Sequence, residues 1–166
     1  MLAVNLKIMR NGKETMFNRY THSNSVVSDE YMVSMLQAAG LPNILLDRTY
    51  LTLSDSFVKA LNKRFAKELF KDDLAYSNKF DCDNYAIMYW NLAGRMFAKE
   101  QTIHADAMAI GCLAYRASVG QRHMLNWYID ERKQVVVVEP QKVDRTHSDI
   151  TSFTSTDWAN INYIMA

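Results

Sequence analysis

The sequence predicts an α+β domain in which a helix that begins with a cysteine packs on an antiparallel sheet. Three observations lead there. The apolar run Tyr85 to Ala93 follows the polar stretch Asp81-Cys82-Asp83-Asn84 and reads as a helix. Three strand-like segments, 108–115, 123–129 and 135–138, succeed one another through short links, which an antiparallel meander satisfies most simply. A length of 166 residues suits one domain, and 49% apolar residues can fill its core.

The elements follow in order. Val4, Leu6 and Ile8 alternate with polar residues, and Asn11-Gly12 is a hairpin turn signal, so residues 1–27 read as a possible N-terminal hairpin extension. Ser28 before Asp29-Glu30 predicts a helix to about Ala39, with Gly40 and Pro42 as its stop. Segments 44–46 and 50–53 read as short extended pieces. Ser54 or Asp55 caps a second helix, 56–70, with Phe57, Leu61, Phe65 and Leu69 on one face. Val135 to Val138 is β-branched throughout and stops at Glu139-Pro140. Residues 144–166 read as an exposed loop followed by a tail that packs back. The whole chain, 1–166, is expected to be one domain.

Charge excludes some functions. With 19 basic and 18 acidic residues the net charge is +1, which gives no reason to expect nucleic acid or a membrane surface as partner. Lys7 and Arg10 interrupt the N-terminal apolar pattern, so no secretory signal is read there and a cytoplasmic location is expected, with the host cytoplasm of a phage-infected bacterium as one form of it. Cys82 and Cys112 are then expected as free thiols.

Cys82 is the residue with chemical promise. A helix N-terminus favours an anion, including a thiolate, although Asp81 and Asp83 oppose one. His123 opens a strand, and Glu139 ends the neighbouring strand at nearly the same level. Glu139 can therefore orient the His123 imidazole, and the imidazole can take the proton of Cys82, as in an activated nucleophile. Each residue alone also fits an ordinary role: a small core thiol, a polar residue near a turn, a strand-end charge. Cys112, in an apolar strand, is read as core.

The segments Asp81-Cys82-Asp83-Asn84-Tyr85-Ala86, His123-Met124-Leu125-Asn126 and Val138-Glu139-Pro140-Gln141 resemble the three motifs of the C-terminal cysteine-protease domain of the Marasmius oreades agglutinin and of its stand-alone bacterial and phage relatives. The resemblance covers about residues 29–141. It implies a papain-like fold and a Cys–His–Glu triad of Cys82, His123 and Glu139. It also implies a divalent cation such as Ca2+ near the nucleophile, with Asp83 and Asp81 as ligands. An oxyanion donor is expected from the Cys82 N–H or from Asn78, and Gln141 is expected to line the cleft. The function expected is that of a papain-like thiol hydrolase cleaving a peptide or amide bond in a peptide or protein substrate. Two alternatives stand beside it. One is a catalytically idle papain-like fold that acts as a phage-encoded binding protein. The other is acyl transfer or peptidoglycan amide cleavage on the same triad.

Overall fold

The computed structural model describes residues 23, 25–38, 43–45, 47–72, 74–75, 77, 80–99, 105–116, 122–142, 150–151 and 161–166. The predicted N-terminal hairpin lies outside them. Strand β1 (Val26–Ser28) leads into helix α1 (Asp29–Ala38), and β2 (Asn43–Ile44) and β3 (Thr49–Leu51) follow. Helices α2 (Asp55–Lys71) and α3 (Cys82–Phe97) come next. Then come β4 (Ala107–Met108), β5 (Ile110–Arg116), β6 (Arg122–Ile129) and β7 (Val135–Val138). A 3-10 turn (Pro140–Lys142), β8 (Ile150–Thr151) and β9 (Ile161–Met165) complete the described elements.

The helix starts follow from local chemistry. An unpaired N–H at a helix start needs an acceptor, and a serine hydroxyl one residue ahead of the helix supplies it. Ser28 Oγ accepts from the Tyr31 N–H at 3.2 Å, and Ser54 Oγ accepts from the Phe57 N–H at 3.1 Å. Helix α2 buries Phe57, Leu61 and Phe65, as the four-residue spacing predicts. Phe65 meets Tyr89 of α3 edge to face, with ring centroids 5.1 Å apart. Each such fully buried side chain contributes about 1.5–3 kcal/mol.

The larger sheet has the order β2-β9-β5-β6-β7-β8. Its β5–β6–β7 portion is the predicted antiparallel meander, with Cys112 opposite Asn126 and Asn126 opposite Val138. Its two faces carry separate cores. Ile110, Tyr128 and Val138 join α2 and α3 through Leu61, Tyr89 and Leu92. Leu113, Leu125, Trp127 and Ile129 pack with Val27, Met32 and Tyr50 on the other side. Among the described residues, no helix is long and apolar enough to cross a membrane.

Two expectations change here. The segment read as one strand over 108–115 breaks at Ala109. Its first part, β4, pairs with β3 in a small sheet of order β1-β3-β4, and its second part, β5, joins the large one. Ala109 bridges both, donating to the Leu51 carbonyl at 2.8 Å and accepting from the Ile129 N–H at 2.9 Å. The C-terminal region is also more than a loop and an attached tail. Ile150–Thr151 pairs with Val137–Val138, and β9 runs between β2 and β5, parallel to the first and antiparallel to the second.

Two substitutions measure these contributions. Leu92 is fully buried between α3 and the sheet, so Leu92→Ala should lower the unfolding free energy by about 2–5 kcal/mol in urea titrations. Ser54→Ala removes only the cap and should cost about 1 kcal/mol.

Candidate functional site

Asp81 has extended backbone (φ −115°, ψ −162°) and precedes α3 as its cap. The Asp81 N–H donates to Asn84 Oδ1 at 3.2 Å. The reciprocal contact, Asp81 carboxylate on the Asn84 N–H, completes a capping box but falls short of strict hydrogen-bond geometry. The helix therefore starts at Cys82, as the sequence predicts, and leaves that side chain half-buried.

The imidazole of His123 and the carboxylate of Glu139 meet. His123 Nε2 lies 2.6 Å from Glu139 Oε2, and an N–H donating to the carboxylate accounts for so short a contact. Glu139 is 7% exposed, and its other oxygen accepts the Gln141 N–H at 3.1 Å. Both carboxylate oxygens are thus engaged, which a buried carboxylate requires. The strand register explains the meeting. Continued past Val138, it sets Glu139 across from Leu125, two residues along the same face as His123. Tyr115, directly across β5 from His123, holds its ring edge to face at 5.7 Å.

Cys82 is a free, half-buried thiol beside this pair in the sequence reading. No hydrogen bond joins its Sγ to His123 among the described residues, where the sequence reading puts a shared proton. Strand alternation supplies the reason. By strand alternation His123 falls on the face of β6 that carries Leu125 and Trp127. Asn126 and Tyr128 occupy the face that α3 covers.

Asn126 is the residue the sequence reading passed over. It is fully buried, and its Nδ2 donates to the Ala86 carbonyl of α3 at 3.0 Å and to the Gly111 carbonyl of β5 at 3.1 Å. Cys112 Sγ lies 3.5 Å from the same nitrogen. One amide thus ties the first turns of α3 to two strands. The signal for it was a polar residue where strand alternation calls for the core face. Cys112 itself is a core thiol, as expected, and burial pushes its pKa up to about 12, with the Asn126 amide pulling it back in part.

The remaining predicted residues separate. Gln141 serves Glu139 through its backbone, and its side-chain Nε2 is buried without a partner. Asn78 lies outside the described residues. Asp81 and Asp83 sit side by side, and the hydrogen bond that a protonated Asp81 donates to the Asp83 carboxylate, followed by desolvation and the Asp83 charge, raises the Asp81 pKa above the ordinary 3.8. Nearby backbone N–H groups oppose that shift. The two carboxyls would supply part of the six to eight oxygens that Ca2+ takes from carboxylates, carbonyls and water. Among the described residues, no group of three His, Cys, Asp or Glu side chains gathers there or elsewhere.

No protein-family model matches the sequence, and no curated protein matches it. Solved structures do. One is the Polyporus squamosus lectin PSL1a in complex with E64, with a TM-score of 0.67 and 17% identity over 85% of this chain and 51% of that one. Another is Polyporus squamosus lectin bound to the human-type influenza-binding epitope Neu5Acα2-6Galβ1-4GlcNAc, with a TM-score of 0.63 and 16% identity over 85% of this chain and 49% of that one. The α+β fold is shared with a part of these fungal lectin chains, and this chain spans about half their length.

The thiol-hydrolase expectation, with its hydrolase and cysteine-protease labels, is therefore corrected. The similar structures are those of a lectin, one of them carrying a glycan, and in this chain thiol and imidazole share no hydrogen bond. A peptide or protein substrate gains no support.

Two measurements check this geometry. Asn126→Asp points an acceptor at two carbonyls and should destabilise the fold by about 3 kcal/mol in urea titrations. In a carboxyl NMR titration Asp81 should titrate above its ordinary value, and Asp83→Asn should bring the midpoint down. The raised value means that the stability linked to Asp81 is full below pH 3.8 and is lost as pH rises through the folded-state midpoint.

Proposed function

We propose that the chain is a non-catalytic binding domain on a papain-like scaffold, and that its ligand is a glycan. The observation that carries this reading is the closed set His123–Glu139–Gln141. Nε2 of the imidazole is committed to Glu139, Glu139 is committed at both oxygens, and Cys82 is left out. Thiol chemistry needs the nucleophile within hydrogen-bond reach of the base once substrate is bound, and Cys82 makes no such bond in the free chain. A prearranged, partly buried pair without that nucleophile serves recognition better, since fixed polar groups lose little freedom on binding. The ring is 24% exposed, and its Nδ1 is the nitrogen not engaged by Glu139 and would meet a ligand hydroxyl. The glycan class is taken from the sialylated ligand named for a similar lectin. Fold likeness alone does not carry an activity across, so the reading stands on the site and is tested there.

Titration calorimetry with Neu5Acα2-6Galβ1-4GlcNAc should give saturable binding with a Kd of about 1 mM or tighter. In parallel, iodoacetamide should alkylate half-buried Cys82 and spare buried Cys112. Glu139→Gln should leave the Cys82 rate unchanged, because no hydrogen-bond chain connects the two. Absence of binding to any glycan, or a tenfold fall in the Cys82 rate in Glu139→Gln, overturns the proposal. The second outcome reveals a thiol coupled to the His123–Glu139 pair.

A further inference from the structure

A net charge near zero hides an asymmetry in helix α2. The helix carries five cations, Lys59, Lys63, Arg64, Lys67 and Lys71, against two carboxylates, Asp55 and Glu68. It is therefore more positive than the whole chain, whose net charge is +1. At about 100° per residue, the buried Phe57, Val58, Leu61, Asn62, Phe65 and Ala66 occupy one side of it. Lys59, Lys63, Lys67 and Lys71 follow one another at four-residue steps on the other side, and all four are exposed. Each step is about 6 Å along the axis, so the row extends for about 18 Å.

A solvated helix face gains when cations meet carboxylates three or four residues away, and loses when they meet cations. The neighbours of Lys63 at those spacings are Lys59, Ala60, Ala66 and Lys67. Those of Lys67 are Lys63, Arg64, Phe70 and Lys71. Among the described residues none of the four lysines forms an ion pair. The nearby carboxylates lie at the ends or are engaged. Asp55 stands at the helix start, four residues before Lys59. Glu68 gives one oxygen to Arg64 at 3.4 Å and the other to Arg95 of α3 at 2.8 Å. Asp72 caps the far end, with Asp73 after it in the chain. Phe70 stands on the same face, about 20° around the helix from Lys59. It is 61% exposed, more than the other exposed large apolar side chains among the described residues, Val26 and Ile87.

We propose that this face of α2 docks on the surface of an anionic lipid bilayer. The lysines meet headgroup phosphates and carboxylates, and the Phe70 ring enters the interface among them. Charge complementarity and the exposed ring together select that occupant. Four of the five cations are lysines, flexible point charges that suit a diffuse charged plane better than paired recognition of one fixed anion. A single-stranded nucleic acid calls for a groove with successive stacking rings, and this helix face offers one ring. The contact is peripheral, since among the described residues no helix is long and apolar enough to cross a membrane. It uses none of the residues of the His123–Glu139–Gln141 set and does not depend on the glycan reading.

Vesicle sedimentation tests it, with vesicles of phosphatidylcholine and phosphatidylserine at about two to one and neutral phosphatidylcholine vesicles as the control. The protein should pellet with the first and stay in solution with the second, and added salt should weaken the binding. The triple variant Lys59→Gln, Lys63→Gln, Lys67→Gln keeps good helix formers, so its melting temperature should not fall. It should bind about a hundredfold more weakly. Arginine at the same three positions should preserve the affinity. Phe70→Ala should weaken binding about tenfold and leave the salt dependence unchanged. Equal pelleting on the two vesicle types overturns the proposal, as does a triple variant that binds anionic vesicles like wild type. Binding to a single-stranded oligonucleotide without binding to vesicles also overturns it and makes the partner a nucleic acid. An unchanged affinity in Phe70→Ala overturns the inserted ring.

Discussion

The contact on which the site geometry depends is the amide of Asn126. A fully buried Asn survives only if its donors find acceptors, and this one finds them on two elements at once. The Ala86 carbonyl belongs to the second turn of α3 and the Gly111 carbonyl to β5, so the helix cannot slide along the sheet without breaking a buried hydrogen bond. The position of Cys82, one turn before Ala86, is set by the same anchor. Apolar packing between α3 and the sheet supplies most of the energy, but Tyr89 and Leu92 against Ile110 and Tyr128 tolerate small shifts. A directional bond does not.

That anchor also separates two regions of chemistry. Asn126 and His123 are three residues apart on β6, an odd step, so they point to opposite faces. The buried Asn serves the helix, and the His serves Glu139 on the other face. The pair is rigid because Gln141 holds the second carboxylate oxygen and Tyr115 holds the ring. The thiol at the helix start has no part in that arrangement.

Much of this was readable in the sequence. Ser28 and Ser54 announced two helices because capping is local, and the Phe57-Leu61-Phe65 spacing announced a buried face. The meander was legible in two short links, one of them charged, and the His123–Glu139 meeting followed from hairpin register. What escaped depends on contacts far apart in the chain. Ala109 reads as mid-strand, and only the pairing with Leu51 and Ile129 shows why the strand changes sheets there. The place of Cys82 beside a histidine was inferred from order along the chain. Order gives level along a strand but not face, and the face decides whether two side chains touch. Likewise, Ile161 to Met165 looked like a tail because nothing local names β2 and β5 as its neighbours.

The position of β9 has a consequence for how the protein is made. Asn43 and Ile44 leave the ribosome well before the strand they pair with, 161–165, and that same strand also flanks β5. At roughly 5–20 residues per second, several seconds pass before the two can meet. From its own emergence until residues 161–165 arrive, β5 carries an open flank of N–H and C=O groups suited to pairing with any extended chain nearby. Closure of the sheet is thus a late event with a large loop to draw in, which slows folding and lengthens exposure to misassembly. A nascent chain with this topology gains from a chaperone that shields the β5 flank until residues 161–165 arrive.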